Sequence, residues 1–330
     1  MSRFLPWISL VFNTLISAGI VIAIKVLTKT LTTGEIFLLR FLPISIIAFL
    51  ILVIFYREAL SVTFRHQWKG FLVRETIAIL GFQLTWTYAA SILPAGIVQL
   101  ELATWPAMTM LLASVMLGEK LTSRKIVGAF LALAGVAAVF FGSENGTTAE
   151  TGLTSWVWVK TCSILLIAPV SAAVVTVITR QYLINNNGHN TQDPLIFSLL
   201  CRMLDGFFVL AVFSIHDSPS HLIEILKHTN IWFWVIIGIV SIYGSLIGFW
   251  LWNWCILKLN ATTVSSFSHL QTGVTLILAL LILNESLTPL KIIAAVTILA
   301  GVFLTNIGAK TLQPIVEEGG EITQPVSSSA

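Results

Sequence analysis

Residues 117–142 read LGEKLTSRKIVGAFLALAGVAAVFFG, and residues 283–308 read LNESLTPLKIIAAVTILAGVFLTNIG. The second stretch matches the first at a shift of 166 positions, with no gap, at acidic, hydroxyl, basic and glycine positions: Glu119 and Glu285, Thr122 and Thr288, Lys125 and Lys291, Gly135 and Gly301, Gly142 and Gly308. Shared hydrophobic composition can align leucines by chance, but it does not readily align these other residue types in register. The two stretches therefore indicate an internal repeat.

The repeat extends towards the start of each half. Trp86 falls on Trp252 at the same shift, whereas Arg40 falls on Arg202 at a shift of 162. Earlier still, residues 17–18 and 171–172 share the pair Ser-Ala at a shift of 154. The shift grows along the chain because the connecting loops differ in length.

The composition points to a lipid environment. Of 330 residues, 56% are hydrophobic and 10% are charged, and the mean hydropathy is +0.92. A soluble domain usually carries about 25% charged residues. The net charge of +3 is too small to predict a nucleic-acid partner. The three cysteines lie in apolar segments without metal-ligand spacing, so we expect no metal and no cofactor.

Ten apolar segments are long enough to cross a bilayer, which needs roughly 20 residues of helix. They cover about residues 6–27, 34–56, 70–92, 94–117, 124–141, 156–178, 194–215, 231–255, 261–283 and 289–308. The segments are apolar on all sides, unlike the alternating strands of a membrane barrel, so helices are expected. The predicted fold is an all-α integral membrane protein with ten transmembrane helices.

These segments divide into two five-helix repeats, residues 1–142 and 156–308. Because five is odd, the second repeat enters the membrane from the opposite side, and the two repeats are inverted. Residues 143–155 then form an external loop, and residues 309–330 a disordered cytoplasmic tail. With the N-terminus in the cytoplasm, eleven Lys and Arg residues flank the cytoplasmic side and five the other, so both termini are predicted to be cytoplasmic. Arg74 is counted among the cytoplasmic eleven.

The chain resembles the EamA family of the drug/metabolite transporter superfamily. The likeness rests on the mid-helix Pro106, the block Leu117-Gly118-Glu119-Lys120-Leu121-Thr122, the glycines of the fifth segment and the run Leu39-Arg40-Phe41. The second half departs from the pattern, with Asn284 in place of the glycine before Glu285 and Thr272 where Pro106 aligns. The resemblance implies ten helices, cytoplasmic termini and the transport of small metabolites, amino acids or drugs.

Two ionisable residues inside predicted spans are the main candidates for substrate binding or ion coupling. A charged group at the centre of a spanning helix costs about 2.5–3.5 kcal/mol on insertion scales, so each one needs a reason. Glu101 lies in the fourth span, with Trp105 and Met108 following at helical spacing. His269 lies in the ninth span, the repeat counterpart of the fourth. Each is interpreted either as a residue of a cavity or as a buried group satisfied by a neighbouring helix.

Other residues join these candidates. The possible substrate-binding residues are Trp86, Gln99, Trp105, Ser265, Ser266 and Gln271. Most of the many tryptophans are expected to pack or to lie at the interface. Arg40, Arg202 and Asp205 are interpreted as structural, because Asp205 follows Arg202 by three residues and can pair with it on one helix face.

The function that follows is secondary transport of small, amino-acid-like metabolites across the cytoplasmic membrane by alternating access, as export or exchange. Inverted repeats recur in such transporters, with the substrate site between the halves. The alternatives are proton-coupled efflux of organic cations or drugs through Glu101, a passive channel and a membrane-embedded enzyme. The chain carries no recognisable catalytic or nucleotide-binding motif, which disfavours the enzyme. The expected partners are a small molecule and the lipid bilayer; a homodimer is left open.

Overall fold

The computed structural model describes residues 4–116, 123–142, 154–184, 193–216, 219–259, 261–285 and 288–306, and all regular secondary structure in these ranges is helical. The prediction of an all-α protein is confirmed for this part of the chain. The Glu-Lys-Leu-Thr block at 119–122, most of the predicted external loop and the C-terminal tail lie outside the described residues.

The helices follow the predicted segments closely. In the first half they are α1 (Leu5–Leu27), α2 (Thr33–Phe55), α3 (57–92), α4 (Ala95–Met116) and α5 (Ser123–Gly142). In the second half they are α6 (Ser155–Ile184), α7 (Pro194–His216), α8 (Pro219–Lys227), α9 (Ile231–Lys258), α10 (Ala261–Leu283) and α11 (Pro289–Asn306). The short α8 was not predicted. The largest difference is in α3, which begins at residue 57 instead of 70.

Seven helices within the described ranges are long and apolar enough to cross a membrane: α1, α2, α4, α6, α7, α9 and α10. The apolar stretches of α5 and α11 are shorter, Ile126–Gly135 and Ile292–Gly301. The outer face of α2 exposes large apolar side chains, among them Ile46, Phe49, Leu50 and Ile54. Such a face is a liability in water and is suited to lipid, so the chain is an integral membrane protein. The number ten stays a prediction.

Several helices are interrupted near their middle. α4 leaves α-helical geometry at Ala103–Thr104, just before Pro106. α10 does so at Phe267, which corresponds to residue 101 of the first repeat, so the two breaks lie two to three residues apart in the repeat. Proline has no N–H and clashes with the carbonyl four residues earlier, which explains the break in α4. α3 and α9 contain π-helical turns at overlapping repeat positions, Ile77–Leu84 and Ile239–Ile247. These irregular segments contribute to the site described below.

The packing of the helices follows the repeat. α5 packs on α11, its counterpart in the second repeat, and α2 packs on its own counterpart, α7. α1 contacts α9 and α10, just as α6 contacts α3 and α4. Each of these contacts therefore has an equivalent when the halves are exchanged.

Glycine permits the closest of these contacts. A Cβ atom added at Gly135 of α5 would lie 2.6 Å from Cγ1 of Ile298 and 3.0 Å from the carbonyl oxygen of Ala294, both in α11. A Cβ atom at Gly206 of α7 would overlap Oγ of Ser45 in α2. Small residues at these positions let the helix backbones approach, as is usual in membrane bundles.

In each half, a basic side chain hydrogen-bonds to the carbonyl groups at the end of another helix, and the two helix ends are equivalent in the repeat. Nζ of Lys25 in α1 donates to the carbonyl oxygens of Ala90 and Leu93 at the end of α3, at 2.7 Å each. The guanidinium of Arg180 in α6 donates to the carbonyls of Ile256 and Leu257 near the end of α9. A cation is favourable at a helix C-terminus, where the last carbonyls have no partner within the helix.

An acidic side chain makes the complementary contact at a helix N-terminus. The carboxylate of Glu285 accepts hydrogen bonds from the backbone N–H groups of Ala95, at 2.6 Å, and Gly96, at 2.9 Å. Asn284 ends α10 with φ of 53°, a left-handed conformation that glycine and asparagine tolerate best. This explains why Asn284 can stand where the first repeat has a glycine before its glutamate. The turn at Asn284 leads directly to Glu285, whose carboxylate reaches the start of α4.

Candidate functional site

A cavity of about 190 Å³ lies between the two halves. Its wall is formed by α1, α2, α3 and α4 from the first half and by α6, α7, α9 and α10 from the second. None of the described residues of α5 and α11 belongs to this wall. Both repeats therefore build one central site.

Two arginines of the wall form a buried ion-pair network. Arg74 of α3 pairs with Glu75 and donates to Oγ1 of Thr179 through Nε and Nη2, at 3.2 and 3.0 Å. Nη1 of Arg202 in α7 lies 2.8 Å from Oδ2 of Asp205, and its Nη2 lies 3.8 Å from Oε2 of Glu75. All four side chains are buried. Two basic and two acidic side chains thus pair across α3 and α7.

A third arginine, Arg40 of α2, also lines the cavity but contacts neutral groups. Its Nε donates to Oγ of Ser245 at 2.8 Å, and its Nη1 donates to Oε1 of Gln83 at 3.4 Å. Its guanidinium carbon lies 4.6 Å from the centre of the Phe41 ring. Among the described residues, no carboxylate forms an ion pair with Arg40.

Aromatic rings form another part of the wall. The rings of Trp105 in α4 and Trp252 in α9 lie 5.3 Å apart, and Phe82 lies 5.9 Å from Trp105. Trp86, the repeat counterpart of Trp252, also lines the cavity. Tilted rings of this kind offer an apolar surface to a ligand.

Amide side chains supply hydrogen-bonding groups. Nδ2 of Asn253 donates to Oγ of Ser198 at 2.9 Å, which fixes the orientation of the amide. Oδ1 of Asn253 and Oε1 of Gln99 are buried and have no hydrogen-bond partner in the described part of the chain. Gln271 and Ser268 of α10 complete this polar part of the wall.

The structure brings together some of the sequence candidates and separates others. Trp86, Gln99, Trp105 and Gln271 line the cavity, and so do Arg40 and Arg202, which were interpreted as structural. Ser265 and Ser266 do not line it, and their hydroxyls donate to the carbonyl of Thr262 at 3.0 and 2.7 Å.

Glu101 and His269 lie behind the wall and not in it. Both are buried, and neither the Glu101 carboxylate nor the His269 ring has a hydrogen-bond partner among the residues that the structure describes. The thiol of Cys162 in α6 lies near the Glu101 carboxyl group. The interruption at Ala103–Thr104 separates Glu101 from Trp105, so their i, i+4 spacing does not place them on one face.

The sequence analysis missed Arg74 and Glu75, the centre of the ion-pair network. Arg74 was assigned to the cytoplasmic flank because the third span was predicted to begin at residue 70. The helix begins at 57, which places both residues well inside it, and both are buried. The sequence did offer a signal: Arg74 and Glu75 are an adjacent basic and acidic residue in a mostly apolar stretch. In the described ranges, no cluster of three or more His, Cys, Asp or Glu could hold a metal ion.

Comparisons with known proteins agree with this architecture. The profile of the EamA-like transporter family matches the chain twice, over residues 5–141 and 159–307. A crystal structure of another protein superposes with a TM-score of 0.63 over 90% of this chain and 95% of that one, at 14% identity, which shows a shared fold.

Two curated relatives are named as exporters. A probable terminal-alkyne amino-acid exporter of Streptantibioticus cattleyicolor is 26% identical over 220 residues, which span 64% of each chain. A probable amino-acid metabolite efflux pump of Escherichia coli is 24% identical over 242 residues, 70% of this chain and 77% of that protein. The double match of the family profile covers nearly the whole chain and indicates a transporter, not an enzyme. The chain belongs to the EamA-like transporter family.

Proposed function

We propose that this protein is a secondary transporter that exports amino-acid-like metabolites from the cytoplasm by alternating access through the central cavity. The observation that carries the proposal is a cavity that is walled by both repeats and that combines guanidinium, indole and amide groups. A mostly apolar pocket with a few convergent polar groups is the usual form of a small-molecule site. The names of the two relatives favour amino-acid metabolites as cargo and export as the direction.

The proposal includes the membrane arrangement expected from the sequence. Ten helices cross the cytoplasmic membrane, residues 1–142 and 156–308 run in opposite senses, and both termini lie in the cytoplasm. The exchange of helix contacts between the halves supports this arrangement. Ser123 and Pro289 are equivalent, both are exposed, and they begin α5 and α11.

Cysteines placed at those two positions test the inversion. In a background without the three native cysteines, Ser123→Cys should react with a membrane-impermeant maleimide from the cytoplasmic side. Pro289→Cys should react from the external side. Labelling of both from the same side would exclude inverted repeats.

The cavity wall disfavours organic cations as cargo. Three buried guanidiniums line it, whereas the two carboxylates of the network are already paired with arginines. Bringing a cation next to these groups would add like-charge repulsion in a poorly solvated site. Within the proposed transport cycle, Glu101 is the candidate for proton coupling.

Transport itself is tested with the purified full-length protein in proteoliposomes. Vesicles loaded with an unlabelled L-amino acid should take up the same labelled amino acid by saturable counterflow, and the twenty common L-amino acids are screened in turn. A passive channel would instead equilibrate the label without acceleration by internal substrate. Absence of counterflow for all twenty would contradict the proposal.

A pair of tryptophan substitutions on α1 links transport to the cavity. Ser17 lines the cavity, whereas Leu15, two residues away, exposes 43% of its surface on the outside of the bundle. Ser17→Trp should fill the cavity and abolish counterflow. Leu15→Trp adds a similar side chain to the outer face and should transport at the wild-type rate. Normal transport by Ser17→Trp would place the pathway elsewhere.

A further inference from the structure

The basic side chains of the cavity wall outnumber the acidic side chains that pair with them. Arg40, Arg74 and Arg202 face only two carboxylates, Glu75 and Asp205, in the described network. Arg74 and Arg202 take both carboxylates, and Arg40 is left with neutral partners. A buried charge without a counter-charge is costly, so the imbalance calls for an anion.

The hydrogen bonds of Arg40 leave it able to bind that anion. Arginine has five N–H donors in a planar fork, and the contacts to Ser245 and Gln83 use two of them. Three donors therefore remain on a side chain that is buried, 6% exposed, and lines the cavity. The two contacts hold the guanidinium in place, so little ordering is required when a ligand arrives.

The repeat shows why Arg40 and Arg202 differ although they are counterparts. The residue equivalent to Asp205 in the first half is Pro43, and the residue equivalent to Glu75 in the second half is Ser241. Neither can carry a negative charge. Arg40 is therefore a basic residue of the cavity wall whose two potential partners in the repeat are uncharged.

We propose that Arg40 binds the carboxylate of the transported molecule, an inference that rests on the proposed export function. A guanidinium and a carboxylate match in two parallel charge-assisted hydrogen bonds. Gln99 and Asn253 line the same cavity and carry amide groups that can accept hydrogen bonds from an ammonium group, and the rings of Trp105 and Trp252 provide an apolar surface. Together these groups define the ligand as an α-amino acid with an apolar or aromatic side chain.

The test compares an amino acid with its carboxamide, which lacks the negative charge. The probe is the radiolabelled L-amino acid that gives the fastest counterflow with the wild-type protein, and unlabelled acid and amide compete with it. The variants are Arg40→Gln, Arg40→Lys and the matched control Arg57→Gln, which removes the same charge from an exposed position at the start of α3. Ligand-induced thermal stabilisation in detergent gives a second readout that needs no transport.

Wild-type protein and Arg57→Gln should prefer the acid over the amide by about 30-fold or more, as expected when one partner of a buried charge pair is removed. Arg40→Gln should lose this preference through weaker binding of the acid. Arg40→Lys keeps the charge but not the fork, and should bind the acid with intermediate strength. If Arg40→Gln does not fold, the acid-to-amide ratio of Arg40→Lys decides.

The outcomes separate the two proposals. A full preference for the acid in the Arg40 variants would overturn the carboxylate assignment and leave the export function standing. Equal binding of acid and amide by the wild-type protein would do the same. Absence of counterflow for every amino acid with the wild-type protein would overturn the export function, and the assignment with it.

Discussion

Nη1 of Arg202 lies 2.8 Å from Oδ2 of Asp205, three residues further along the same helix. Both side chains are buried, and Glu75 from α3 approaches the same guanidinium. The pair is therefore part of the contact between α3 and α7 and also part of the cavity wall. Its contribution to folding can be separated from ligand binding by measuring stability without ligand.

We predict that Asp205→Asn strongly destabilises the protein. Removing one partner of a buried ion pair costs up to about 3–5 kcal/mol. Arg202 would keep only the more distant Glu75 carboxylate, 3.8 Å away, as a counter-charge. Thermal unfolding of the purified protein in detergent should show a large decrease in midpoint temperature. Glu58→Gln, at an exposed carboxylate, is the control and should change little. An unchanged midpoint for Asp205→Asn would contradict the network.

We predict that Gly135→Ala destabilises the α5–α11 contact, although alanine is the better helix former. The added Cβ atom would lie 3.0 Å from the backbone oxygen of Ala294, which cannot rotate away as a side chain can. Gly238→Ala in α9 is the matched control, because nothing lies within 4 Å of its added Cβ atom. The control should gain up to about 1 kcal/mol from helix propensity. Thermal midpoints that shift in the same direction for both variants would refute the close contact.

We predict that Glu101→Gln abolishes uptake driven by a pH gradient while counterflow persists. The substitution keeps the shape of the side chain but removes its ability to carry a proton, and the carboxylate has no hydrogen-bond partner in the described residues. Uptake into proteoliposomes is measured with and without an imposed pH gradient. Glu224→Gln, at an exposed site on α8, should behave as the wild type. Unchanged pH dependence in Glu101→Gln would exclude this residue as the coupling site.

We predict that Glu285→Ala loosens the junction between α10 and the start of α4. The carboxylate accepts two hydrogen bonds from backbone N–H groups, and such charge-assisted bonds contribute about 1.5–3 kcal/mol each. A cysteine at Ser268, in the cavity wall, should react faster with a water-soluble maleimide when Glu285 is replaced. Glu224→Ala serves as the control. Equal labelling rates would show that this contact does not restrict access to the cavity.

The sequence was sufficient to predict the helices, because a long apolar segment in lipid has few structures that satisfy its backbone. The prediction failed to extend α3, since residues 57–69 are polar enough to resemble a loop. It also counted Arg74 as a flanking charge, because burial depends on partners such as Thr179 in α6 that are more than a hundred positions away. Ser265 and Glu101 were placed on assumed continuous helices. Interruptions at Ala103–Thr104 and Phe267 change the direction of the side chains. The first of these breaks is signalled in the sequence by Pro106, whereas the second has no comparable signal.

The contacts of Lys25 and Arg180 are made to main-chain carbonyl oxygens, which every residue type possesses. Substitutions at the accepting positions can therefore accumulate without removing the acceptors. Ala90 in one half and Ile256 in the other already illustrate this freedom, because they differ in side chain and accept equivalent bonds. Two repeats joined in this way can diverge widely in sequence and still retain matching geometry at equivalent helix ends.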